Sequence, residues 1–162
     1  MKKTMAILLT ALSLSALAQD VEYKCSFNTK VETIKTNLFG RSPRTVSVAD
    51  FNPCQSPTVG SVIHEDGRVS LTECGIFTDE VKFGLTLRVQ KMNEKNARLK
   101  LLHLSKKLQN ENDYASDDVL DEKTIEIGKE AVFEANVEIQ LYKKSRRLKE
   151  VITAVSVLCL KK

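Results

Sequence analysis

Apolar and polar residues alternate with a period of two along most of this chain, the spacing of strands that bury one face. Val21, Tyr23, Cys25 and Phe27 interleave with Glu22, Lys24 and Ser26. Val31 to Leu38 repeats the alternation more loosely, as a strand or a meandering segment. Thr45 to Phe51 places Val46 and Val48 on one face and stops at Asn52-Pro53. Pro53 and Pro57 make Asn52 to Thr58 a rigid turn region with Cys54 at its centre. Val59 to Thr72 reads as a hairpin around Asp66-Gly67, a pair that tolerates the positive φ of a tight turn. In that register Val62 faces Leu71 and Glu65 faces Arg68.

The clearest alternation is Val81, Phe83, Leu85, Leu87 and Val89 against Lys82, Thr86, Arg88 and Gln90. After the polar loop Asn93 to Asn96, residues 97–108 fit either a returning strand or a leucine-rich helix. The short loop favours the strand. Gln109 to Glu122 is strongly acidic and is expected to form a long loop. Thr124 to Ile127 is a short strand. Phe133 to Leu141 alternates cleanly, Lys143 to Arg147 turns the chain, and Val151 to Leu160, apolar on both faces, reads as a central strand. Strand runs separated by turn signals predict an all-β fold, an antiparallel β-sandwich or a small β-barrel.

The first eighteen residues depart from this pattern. Lys2 and Lys3 precede an apolar run from Met5 to Leu17, and Ala16-Leu17-Ala18 supplies the small-x-small cleavage signal. Residues 1–18 are therefore expected to be a signal peptide and residues 19–162 a single exported β domain, periplasmic or secreted. The run falls short of the roughly 20 apolar residues of a spanning helix. An outer-membrane barrel fits poorly, because the chain lacks Trp and its aromatic girdles.

Export changes how the four cysteines read. None forms a C-x-x-C pair and the spacings fit no zinc pattern, so two disulfides are expected and no metal. Three connectivities are possible; nearness along the chain favours Cys54–Cys74, which leaves Cys25–Cys159 to join the first and last strands. In the loop-entropy account the first would contribute about 3 kcal/mol and the second roughly 5.

Charge narrows the candidate chemistry. The formal net charge is +4, and Lys2 and Lys3 supply two of those positive charges, so the remainder is too balanced to argue for nucleic acid. The acidic run lacks the spacing of an EF-hand. His64 beside Glu65 and Asp66 could act as a base, but no G-x-S-x-G elbow accompanies it and an exposed turn histidine is the better reading. His103 reads as a partly buried packing residue. No catalytic residue and no cofactor are assigned. The strongest local field is the basic turn Lys143, Lys144, Arg146 and Arg147. These observations point to a non-catalytic exported binding protein that meets a protein or an anionic envelope component through loops and hairpin tips. The alternative is a hydrolase inhibitor whose Asn52 to Thr58 loop enters the target's cleft.

Overall fold

A computed structural model describes residues 19–37, 42–56, 58–78, 82–105 and 118–162. Nine strands account for most of these residues: β1 (Val21–Lys35), β2 (Arg44–Phe51), β3 (Val59–Ile63), β4 (Ser70–Phe77), β5 (Lys82–Lys91), β6 (Asn96–Leu104), β7 (Asp118–Glu126), β8 (Ala131–Ser145) and β9 (Leu148–Lys161). They form two antiparallel sheets, as the period-two pattern predicts. Sheet A has the order β2-β1-β9-β8, and β3 lies beyond β2 along the same edge of β1; sheet B is the meander β4-β5-β6-β7. The expected signal peptide lies outside the described residues, as does most of the acidic run.

The core lies between the inward faces. Tyr23, Cys25 and Phe27 of β1, Phe133 of β8 and Val155, Val157 and Cys159 of β9 meet Phe83, Leu85, Leu87 and Val89 of β5 and Ala97, Leu99 and Leu101 of β6. Each series has a step of two, because successive side chains leave a strand on opposite faces. Phe27, Phe83 and Phe133 are at most 1% exposed, and burying each ring contributes about 1.5–3 kcal/mol.

Both disulfides form with the expected pairing. Cys25 and Cys159 face one another across β1 and β9, with Cα atoms 4.0 Å apart. Cys54–Cys74 ties the loop after β2 to β4, and so links an edge of sheet A to sheet B. Residues 97–104 form the returning strand, antiparallel to β5.

Three expectations are corrected. Val59 to Thr72 is not a hairpin: β3 pairs with β1, β4 pairs with β5, and the turn between them carries the chain from one sheet to the other. Gly67 still supplies the positive φ, at 77°, and its N–H donates to the His64 carbonyl at 3.1 Å. Hydroxyls bridge this seam: Thr72 Oγ1 donates to the Gly60 carbonyl at 2.7 Å, and Ser70 Oγ accepts from the Val62 N–H at 3.3 Å. Two strands that meet at a sheet corner satisfy polar groups in this way without a main-chain ladder.

The second correction concerns the acidic run, whose end is a strand. Asp118, Asp121 and Glu122 lie in β7, where Glu122 pairs with Lys100 at 2.9 Å and Arg98 at 3.4 Å across the ladder from β6. Opposite charges on facing strands suit β structure as well as a loop. Third, β9 is central in sheet A but buries only one face over its second half. Leu158 is 39% and Leu160 47% exposed, because the outer face of an antiparallel sheet can remain open to solvent.

Sheet A also contains the longest elements. β1 and β8 have 15 residues each, roughly 50 Å, against 8 to 10 residues in β4 to β7. Its strands consequently run past the buried core. Residues 32–35, 44–48 and 142–150 are all half-buried or exposed.

Candidate functional site

The basic turn sits at this far end. Arg146 and Arg147 cap the β8–β9 hairpin, where Ser145 Oγ accepts from the N–H groups of Arg147 at 3.2 Å and Leu148 at 3.0 Å. A serine that satisfies two turn amides holds the tip in shape. The Thr36 N–H donates to the Arg147 carbonyl at 2.8 Å, which fastens the tip to the end of β1. Lys143, Lys144, Arg146 and Arg147 are all exposed. Lys144 pairs with Glu150, and the neighbouring Lys149 lies 3.6 Å from Glu138.

Strand pairing adds two cations from distant parts of the sequence. One row of the ladder reads Ser145, Leu148, Lys35, Arg44; the next reads Lys143, Lys149, Ile34, Thr45. The structure thus gathers Lys35 and Arg44 beside the tip. Among the described residues, no carboxylate lies within 4 Å of Lys35, Arg44, Lys143, Arg146 or Arg147 as an ion partner. Glu32 accepts from Thr45 Oγ1 at 2.9 Å. The result is a surface of five uncompensated cations at one end of the sheet. Lys35 and Arg44 were missed from sequence because nothing local places them opposite one another or beside the tip; aligning 21–35 with 44–51 as a hairpin would have revealed them.

Two other regions carry chemistry. His64 Nδ1 lies 2.9 Å from Asp20 Oδ2, and Asp20 Oδ1 accepts the Glu65 N–H at 3.0 Å. That backbone donor, followed by His64, holds the Asp20 carboxyl below its ordinary range. The flanking acids are engaged elsewhere, Glu65 with Lys91 and Asp66 with Arg68 at 2.6 Å. No hydroxyl or thiol is hydrogen-bonded to His64 among the described residues, so the couple clamps the segment before β1 onto the seam turn. His103 stacks on Phe83 with ring centroids 5.7 Å apart, the packing role expected of it. No group of three or more metal-ligating side chains occurs among the described residues.

The other region is a shallow concavity of about 500 Å³ on the outer face of sheet A. Ala154 and Ser156 form its floor, and Asn28, Lys30, Glu134 and Asn136 flank them. Asp50 is the cross-strand partner of Lys30 and Glu134 lies in the neighbouring row, so this surface is polar but not of one sign. The Asn52 to Thr58 loop leaves Gln55 and Ser56 exposed, while Asn52 Oδ1 accepts the Cys54 N–H at 3.0 Å in a side-chain turn; Pro57 lies outside the described residues.

The geometry defines a disulfide-bridged, two-sheet β-sandwich with a cationic end. Two disulfides are compatible with an oxidising, extracellular compartment. No protein-family model matches the chain, and comparison with curated proteins and with solved structures finds no match.

Proposed function

We propose that this protein is an exported, non-catalytic binding domain that recognises an anionic partner, a protein surface or an envelope component, through the end of sheet A formed by Lys143, Lys144, Arg146 and Arg147. The observation that carries the reading is the concentration of cations at one end of the sheet, where among the described residues Lys144 is paired with Glu150 and Lys143, Arg146, Arg147, Lys35 and Arg44 have no carboxylate partner. Elsewhere on the described surface Lys100 and Arg98 are matched by Glu122, Lys91 by Glu65 and Glu94, and Lys162 by Glu22, while the unpaired Lys24, Lys30, Lys95, Lys129 and Lys161 belong to four different strands and loops. Cations left together without counter-charges raise the local potential and steer anionic partners.

Replacing all four tip residues with alanine tests the proposal. The tip is exposed, so stability should stay within about 0.5 kcal/mol of the parent. Affinity for an immobilised polyanion such as heparin should fall by at least tenfold, and the parent's binding should weaken steeply between 50 and 200 mM salt, both salt levels being about those at which screening sets in. An affinity unchanged by the four substitutions excludes the tip.

A further inference from the structure

We infer that Lys35 and Arg44 form a binding site for a phosphate group, distinct from the hairpin tip and carried by β1 and β2. The two are direct cross-strand partners. Like charges placed opposite one another destabilise a ladder, and among the described residues no carboxylate pairs with either. Glu32, the acid nearest along β1, is held by Thr45. A neutralising group between the two cations would remove the repulsion that the fold otherwise retains.

The surroundings supply room, while the Thr36 N–H and hydroxyl are spent on the Arg147 carbonyl. Lys35 and Arg44 line a concavity of about 350 Å³ with Thr36, Asn37 and Ser42. Ser42 adopts φ 63°, the left-handed region that a residue with a side chain occupies only when its surroundings enforce it. The charge argues for phosphate over carboxylate. An arginine fork and a lysine point charge together present two positive charges, which match a phosphate monoester carrying about −1.5 to −2 at pH 7. Its oxygens can accept from several donors at once, whereas one carboxylate is satisfied by the arginine alone. Phosphate could reach the site free, on a soluble molecule or on a lipid headgroup.

The disulfide-bonded protein is titrated with inorganic phosphate at constant ionic strength, with chloride as the control, while backbone amide shifts are followed by NMR. A parallel arm uses sedimentation with phosphatidylcholine vesicles containing phosphatidic acid. Saturable shifts confined to residues 35–37 and 42–44, absent in Arg44→Gln and in Lys35→Gln, support the site. Vesicle binding that both variants lose, without shifts from free phosphate, supports it with the lipid headgroup as the source. Without phosphate, Arg44→Gln should melt about 1–3 °C higher than the parent, since relief of repulsion is its only expected effect. Shifts reproduced by chloride, shifts spread evenly over all basic residues, or binding retained in both variants would overturn the inference, as would failure in both arms. The four-alanine tip variant should keep the phosphate response; its loss of heparin binding bears on the tip alone.

Discussion

The two ends of sheet A are built from the same three strands and have opposite characters. At one end Cys25, Phe27, Phe133, Val157 and Cys159 are buried, a disulfide joins β1 to β9, and sheet B covers the inner face. At the other, β2 packs on β1, Val48 is 58% exposed, and uncompensated cations collect. Irregularities in the pairing fall between the two: the β1–β9 register shifts after Lys30 and the β8–β9 register after Asn136. A bulge alters twist and redirects side chains without ending the strand. One continuous sheet can therefore provide a rigid foundation at one end and a differently presented surface at the other.

Paired truncations break this comparison most severely. Phe27→Ala at the buried end should cost about 3–5 kcal/mol, the cost of emptying a packed site, whereas Val48→Ala at the exposed end should stay within about 0.5 kcal/mol. Denaturant midpoints of the two variants test this, and comparable losses would mean that the far end is packed as tightly as the core.

A smaller effect is expected where the sheets join. The Tyr23 hydroxyl accepts the Gly128 N–H at 2.7 Å and so fixes the β7–β8 turn to β1, while φ of 93° at Gly128 makes that turn a glycine position. Tyr23→Phe should cost about 1 kcal/mol, the usual net contribution of such a bond. Burial raises the Tyr23 pKa, the bond to Gly128 opposing it. The neutral phenol is thus favoured in the folded protein. Its contribution is complete below the unfolded pKa and declines as pH rises through the alkaline range. Thermal melts between pH 8 and 11 should show a steeper alkaline loss for the parent than for Tyr23→Phe.

Much of this architecture was legible in the residues. β5 and β8 announced themselves by alternation of apolar and polar positions, and β9 by a valine-rich run apolar on both faces, of which only one proved buried over its second half. The cysteine pairing followed from chain proximity, and the cationic tip from five adjacent positions. Other features were hidden for identifiable reasons. A turn such as Asp66-Gly67 has the same local chemistry whether it closes a hairpin or changes sheets, and the choice was made by β1, which takes β3 as its neighbour. β7 was obscured because its charges are compensated across the ladder by Lys100 and Arg98. Lys35 and Arg44 became a pair only through strand register.

Residue-by-residue amide hydrogen exchange along β1 tests the division of the sheet most directly. This strand is flanked on one side by β9 from Tyr23 to Lys35 and on the other by β3 and then β2, so differences in protection report local opening. Residues 23–25 and 29, paired on both sides, should exchange only through global unfolding, and residues 32–35 at least tenfold faster through opening of the far end. Uniform protection from Tyr23 to Lys35 would contradict the account.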